Sequence, residues 1–223
     1  MPNNKVKFGL KNVYIAKATI ADDGSATYDT PFALRGAVNL SLDAQGDVTK
    51  FRADNIDYWV GYANSGYEGD LELALVTDEF KTKILNMIVD DNGVMVEDVG
   101  AQPEHFAMMF QFEGDQKATR HVLYNVSVSR PQVAGATTEE NIEPQTESLS
   151  LTATSAHFTE LDKDLVKASC SEEESSVYAA WFDAVYQPEI TETDPADDPV
   201  DPQDPQDPQD PTDPTDPVDP ENP

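Results

Sequence analysis

The sequence predicts a mainly β protein with one or two α-helices and a C-terminal tail that builds no core. Three observations predict it. First, His105–Pro131 reads as two alternating strands: Phe106, Met108, Phe110 and Phe112 share one parity, and Ala118, Val122, Tyr124, Val126 and Val128 share another that only Arg120 breaks. Residues of one parity share one face of a strand. Second, Glu113-Gly114-Asp115-Gln116 lies between them, and Gly and Asp tolerate the angles of a hairpin turn. A hairpin with one apolar face needs more sheet to cover it. Third, composition changes abruptly at the end: Glu189–Pro223 hold 13 acidic residues, 10 prolines and no basic residue.

Each element follows in order. Val6–Ala18 is a first strand with Val6, Phe8, Leu10 and Tyr14 on one side, and Lys5, Lys7, Lys11 and Lys17 make it locally basic. Asp22-Asp23-Gly24-Ser25 turns the chain into a loop that runs to Pro31. In Phe32–Asp43, Phe32, Leu34, Gly36, Val38, Leu40 and Leu42 alternate with Ala33, Arg35, Ala37, Asn39, Ser41 and Asp43. That is one half-buried strand, or two broken near Gly36. Asp43–Asp47 is expected to turn it back into Val48–Ala53 as a hairpin. Asn55–Gly69 sets Tyr58, Trp59, Tyr62 and Tyr67 beside Gly61, Asn64, Ser65, Gly66 and Gly69. Aromatic residues gather both in cores and at contact surfaces, so this stretch is a local core or an interface.

Asp70–Val76 is a strand that aligns Leu71, Leu73 and Leu75. Thr77 can cap a helix over Asp78–Val89, with Asp78 and Glu79 in its first turn and Phe80, Ile84, Leu85 and Ile88 as its buried stripe. Asp90-Asp91-Asn92-Gly93 ends that helix, and Val94–Glu97 is a short strand. After the central hairpin, Ala134–Gln145 is a polar loop. Glu147–Thr154 then alternates Leu149, Leu151 and Ala153 with Ser148, Ser150, Thr152 and Thr154, and Leu165–Ala168 is another short strand. Ser171 and Glu174 fit a capping box for a helix aligning Val177, Trp181 and Ala184 or Val185, although the same letters also alternate as a strand would.

From Asp201 to Pro217, DPQ and DPT units repeat every three residues. Proline offers no amide hydrogen and the side chains bring little to bury, so residues 189–223 are expected to be a disordered, extended tail after a domain of residues 1–188. The whole chain has 14 Lys and Arg against 43 Asp and Glu, a formal net charge of -29. Without the tail, 30 acidic residues still face 14 basic ones, and such a surface repels phosphates. The N-terminus has no apolar core of the signal-peptide kind, and no stretch approaches the ~20 apolar residues of a membrane span.

The residues that carry chemistry are sparse. Cys170 is the only cysteine, so an intrachain disulfide and a cysteine zinc cluster are excluded, and its acidic setting disfavours a thiolate. His105, His121 and His157 stand in no HxH or HExxH spacing. Asp90-Asp91-Asn92-Gly93 looks like a calcium loop, but with Gly93 in its sixth place the first and last ligands would be Ile88 and Val99, which carry no side-chain oxygen. No GxSxG, Walker or dinucleotide glycine pattern is present. No catalytic, cofactor or metal residue is assigned, and no enzyme activity or cofactor is expected.

Five blocks in order carry a resemblance: KFGLKNVYIA, GYEGDLELALVTDEF, FEGDQKATRHVLYNVSVSRP, NIEPQTESLSLTAT and WFDAVYQP, together spanning about residues 5–188. The chain resembles the major tail proteins, or tail tube proteins, of long-tailed non-contractile bacteriophages of Gram-positive hosts. That resemblance implies a β-sandwich or open barrel with a flanking helix, and copies that assemble as stacked hexameric rings into a hollow tube in the virion. It further implies a tape measure protein in the lumen, tail terminator and distal tail proteins at the ends, assembly in the host cytoplasm, no membrane, and genomic DNA passing through without specific binding. Stacked rings need loops that reach the next ring. The candidates are Asp22–Thr30 and the aromatic stretch, which makes Tyr58, Trp59, Tyr62 and Tyr67 candidate subunit-interface residues. Two other readings compete: a surface or secreted β-sandwich adhesion or carbohydrate-binding module on a Pro-rich stalk, and a carbohydrate-active enzyme suggested by abundant acids and aromatics.

Overall fold

The strands form where alternation and turn chemistry put them. A computed structural model describes residues 8–115, 117–135, 137, 145–172 and 176–189. Its elements are β1 (Leu10–Ile20), β2 (Ala26–Tyr28), β3 (Phe32–Ala33), β4 (Ala37–Gln45), β5 (Val48–Ala53), β6 (Ile56–Tyr62), β7 (Gly66–Leu73), α1 (Asp78–Lys83), β8 (Ile88–Val89), β9 (Met95–Val96), β10 (Phe106–Phe112), β11 (Arg120–Val128), β12 (Glu147–Thr154), β13 (Ala156–Phe158), β14 (Lys163–Leu165) and β15 (Lys167–Cys170). The protein is mainly β, as expected, and one short helix is present among the described residues. Nine strands make one sheet in the order β2-β1-β10-β11-β12-β7-β4, with β3 beside β1 and β15 beside β11. The pairs β5–β6, β8–β9 and β13–β14 are separate two-stranded ribbons.

The sheet curls into an open barrel, because its inward residues converge on one core from both ends. Val13 and Ile15 of β1, Leu71 and Leu73 of β7, Phe106 and Met108 of β10, and Leu149 and Leu151 of β12 are all buried together. Each such side chain contributes about 1.5–3 kcal/mol by leaving water. The segment around α1 adds Val76, Phe80, Ile84 and Leu85 to the same core. Thr77 caps α1 as its sequence promised, its Oγ1 accepting from the Phe80 amide at 3.3 Å. A second core lies on the outer face of β1, β10 and β11, where Ala16, Ala107, Met109, Val122 and Tyr124 are covered by Ala156, Trp181 and Val185.

Most departures from the sequence reading come from bulges, which shift parity without leaving a residue signature. A register shift between Lys11 and Tyr14, with Asn12 at φ 54, puts Leu10 with Val13 and Ile15 in the inner core and turns Tyr14 outward onto Phe182. Leu10 and Tyr14 therefore do not share a side. A second shift, between Ala37 and Asn39, leaves Val38 exposed while Leu40 and Leu42 face the core. A third, opposite Phe106 and Met108, splits the β11 row, so Val126 and Val128 enter the inner core while Val122 and Tyr124 enter the outer one.

Other expectations need correction. Phe32–Asp43 is two strands broken around Gly36, but β5 does not fold back on β4; it pairs with β6. Leu75 is exposed because the strand ends at Leu73, and Val76 takes the buried place. The helix over Asp78–Val89 stops at Lys83, and Asn86 at φ 55 redirects the chain. Ile88 and Val89 then pair with Met95 and Val96 across the Asp90–Gly93 turn. Asp22–Thr30 is largely structured, since β2 pairs with β1. No helix follows Ser171 among the described residues: residues 176–184 run as turns, yet Trp181 and Val185 are buried. The other parity of β10, Ala107, Met109 and Gln111, is buried too, beneath the chain's own C-terminal segment, so the hairpin has no single apolar face. Gln116, most of the polar loop over 134–145, Glu174 of the capping box and the tail from residue 190 lie outside the described residues.

Candidate assembly surface

Three surfaces of the fold have no cover from the described residues. The first is the outer face of β12, β7 and β4. Antiparallel register aligns Ser148 with Glu72 and Asn39, Ser150 with Asp70 and Ser41, and Thr152 with Glu68 and Asp43. Opposed residues stand on the same face of a sheet. The inward rows are apolar, Leu149–Leu71–Leu40 being one, so the outward rows must be these. The face therefore carries Asp43, Glu68, Asp70 and Glu72 among small polar residues, with no basic residue in any row. The Ser150 hydroxyl donates to Asp70 at 2.8 Å, which holds part of the array in place.

The second surface is the edge of β4. One side of this nine-residue strand pairs with β7; the other pairs with no strand among the described residues. Along that side no described strand takes up its backbone donors and acceptors.

The third is a ribbon made of β5 and β6. It continues β4 and β7 past the sheet, held by bonds from the Ser65 amide to the Gln45 carbonyl (2.9 Å) and from the Ala63 amide to the Asp47 carbonyl (3.0 Å). At its base Gly66, at φ 97, leaves no room for a Cβ, which would lie 1.9 Å from the Ala153 carbonyl oxygen. At its tip Asp54 and Asn55 both take positive φ, 51 and 63, which matches the tight hairpin turn those residue types favour. Phe51 and Trp59 are opposed and share a face, and the Trp59 indole lies over Gly61, where any side chain would collide with it. Asp57 pairs with Lys50 at 3.1 Å and with Arg52 at 3.3 Å.

The sequence singled out four aromatic residues here. Tyr58, Trp59 and Tyr62 stand on this ribbon with 71%, 56% and 81% of their surface exposed. They form no local core. Tyr67 is different: it lies in β7, packs half-buried against the inner core and takes a hydrogen bond from Lys167 at 3.1 Å. Sequence reasoning missed Phe51, which is 60% exposed and stands opposite Trp59. The β5–β6 pairing, with Asp-Asn at its turn, was the signal that could have found it. A smaller exposed apolar ribbon, β8–β9, carries Ile88, Val89 and Val96.

Several other polar groups bond within the fold. His105 bonds Asn125 at 2.7 Å, His157 bonds Asp164 at 2.9 Å, and His121 stacks on Phe110. The Asp90 carboxylate accepts from the Val94 amide at 2.7 Å and the Asn92 amide at 2.9 Å, and these bonds hold its carboxyl below the usual range. The loop that looked like a calcium site thus closes on its own backbone. Hydrogen bonds from Asn86 and Lys17 lower Glu104 in the same way. Cys170 is half-buried opposite Arg120 in the β11–β15 pairing. Among the described residues no three His, Cys, Asp or Glu side chains converge as a metal site would require, and no helix is long and apolar enough to cross a membrane.

No family model matches this chain, and no curated protein matches it. Among solved structures it is similar to a chain in "Cryo-EM structure of the anti-feeding prophage (AFP) baseplate, 6-fold symmetrised", with 10% sequence identity and a TM-score of 0.41 over 77% of this chain and 98% of that one.

Proposed function

We propose that this chain is a self-assembling structural subunit of a phage tail tube. Residues 1–188 form the assembling domain and residues 189–223 an appended acidic tail. Copies join as hexameric rings, and the rings stack into a hollow tube. A tape measure protein occupies the lumen during assembly in the host cytoplasm, tail terminator and distal tail proteins close the ends of the finished virion tail, and genomic DNA passes through at ejection.

One observation carries this reading: the open acidic face of β12, β7 and β4 ends on a strand edge that no strand among the described residues pairs. A nine-residue edge is a liability that folded proteins usually blunt or cover. A strand from a sibling copy would satisfy its backbone groups and extend the same face into a continuous wall. A wall of carboxylates and hydroxyls with no cation repels phosphates, so DNA moves along it without being held. The task needs no catalytic residue.

Electron microscopy of concentrated purified protein tests the proposal. Six-fold rings or tubes are the expected result. Discrete monomers at every concentration overturn it, and monomers that bind a sugar would favour the adhesion or carbohydrate-binding reading.

A further inference from the structure

The N-terminus enters the fold beside the edge of β4. β1 and β3 pair at Tyr14–Ala33 and Ile15–Phe32, and the Leu34 amide still reaches the Val13 carbonyl at 2.8 Å. From there the two runs part, and an open cavity of about 410 Å³ lies between residues 10–14 and 33–37. A cleft of about 530 Å³ is lined by Phe8, Gly9 and Leu10 and, from β4, by residues 38–42. The chain leading into β1 therefore runs antiparallel to β4, across a slot in the curled sheet. Its other side is already fixed: the Glu113 and Gly114 amides donate to the Gly9 and Phe8 carbonyls at 2.7 and 2.9 Å.

We infer that the chain's own N-terminal arm, residues 3–8, pairs antiparallel with the edge of β4 and closes the barrel in the lone subunit. The arm starts in the right place: seven residues precede Phe8, which lies in the cleft, and β4 runs on from there to Gln45. No turn or linker is needed. Its faces also match. Leu10 and Ala37 both pack on the inner core, and β4 takes up its extra residue between Ala37 and Asn39. Alternation then turns Phe8 and Val6 inward, opposite Leu40 and Leu42, and turns Lys7 and Lys5 outward. Lys7 falls beside Ser41, in the row of Asp70 and Ser150; Lys5 falls beside Asp43, in the row of Glu68 and Thr152. Two cations thus meet a face that holds acids and small polar residues. A slip of one residue would set both lysines against the leucines. The purpose of this closure rests on the self-assembly reading, because a sibling strand would take the same edge. A tethered strand meets that edge at a higher effective concentration than a free copy does. The arm therefore guards the edge in dilute protein, and assembly has to displace it.

The test is a disulfide in the full-length chain, with the native thiol removed by Cys170→Ser. Directly opposed strand residues stand about 4.5–5.5 Å apart at Cα, within disulfide reach. Lys7→Cys with Ser41→Cys should therefore oxidise within one chain in dilute protein, read as thiol loss without dimers on a non-reducing gel. Val6→Cys with Ser41→Cys puts the thiols on opposite faces and should oxidise about tenfold more slowly. The locked Lys7–Ser41 variant should fail to assemble where its reduced form assembles, and reductant should restore it. Deletion of residues 2–7 should lower the concentration at which association begins. Equal oxidation of the two pairs, or crosslinks that join two chains, would overturn the closed barrel. A locked variant that assembles as readily as its reduced form would overturn the guarding role and leave the proposed function standing. A wild type that never associates overturns the proposed function, and the guarding role with it; selective crosslinking within one chain then still upholds the closure.

Discussion

Strands β10 and β7 belong to one sheet and turn the same kind of residue inward, Phe106 and Met108 on one and Leu71 and Leu73 on the other. Their outward residues differ completely. β10 presents Ala107 and Met109, buried beneath Trp181 and Val185; β7 presents Glu68, Asp70 and Glu72, which nothing in the described chain covers. One half of the sheet is thus a two-faced interior and the other a one-sided wall. The difference teaches that burial on two faces, where this protein keeps its stability, and exposure on one are assigned by strand and not spread evenly.

Substitutions that sample both halves would break that comparison if it were wrong. Phe106→Ala should cost about 3–5 kcal/mol and Met109→Ala about 2–5 kcal/mol, since both leave holes in packed interiors. Asp70→Ala, on the open face, should stay within about 0.5 kcal/mol. Urea unfolding measures all three. A Met109→Ala cost no larger than that of Asp70→Ala would mean the outer face of β10 is not a second core.

A smaller effect sharpens how that second core is held. The Arg120 guanidinium lies 3.8 Å from the Tyr178 ring centre and 4.7 Å from that of Phe182, and it donates to the Tyr178 carbonyl. The Tyr178 hydroxyl donates to the Ala118 carbonyl at 2.8 Å. These bonds clamp a segment that has no regular secondary structure of its own. Removing a charged hydrogen-bond donor and its stacking should cost about 2 kcal/mol. Arg120→Met should also speed proteolysis within residues 176–189 more than it speeds cleavage in the β7–β12 half. Equal acceleration everywhere would mean that Arg120 supports the whole fold and not this strap.

Much of this was legible in the sequence, and the parts that were not share a cause. ESLSLTAT gave β12 residue by residue, because clean alternation has one solution when one face is wet. FAMMFQF already differed: it is apolar at both parities, which is what a strand buried on two faces requires. Reading only one parity of it hid the second core. Trp181 and Val185, which cover that core, sit in turns, and no periodicity marks a segment held by Arg120 through contacts 58 residues away in sequence. The three bulges were invisible for the same reason, since Asn12 looks like any strand-tolerated polar residue until its φ is known. On the β5–β6 ribbon, composition alone picked out Tyr58, Trp59 and Tyr62. It could not see that β5 leaves β4 and carries them outward, because a turn at Asp43–Asp47 and a straight continuation use the same letters.

The smallest expected effect separates the covered half from the open one by pH. Burial pushes the Tyr28 and Tyr124 phenols well above their ordinary value, and no protein group among the described residues bonds either hydroxyl. A pKa raised on folding contributes stability that is complete below about 10, the unfolded value, and is lost as pH climbs toward the folded one. Absorbance titration should therefore show two tyrosines that ionise only together with unfolding. Tyr124→Phe keeps the ring against Phe158 at 4.7 Å and removes an unsatisfied hydroxyl, so at neutral pH it should be neutral or stabilising by up to about 1 kcal/mol. It should also raise the alkaline unfolding midpoint. If Tyr124→Phe destabilised the protein by more than about 1 kcal/mol, the hydroxyl would have a partner, and the outer face of β11 would be wetter than a second core allows.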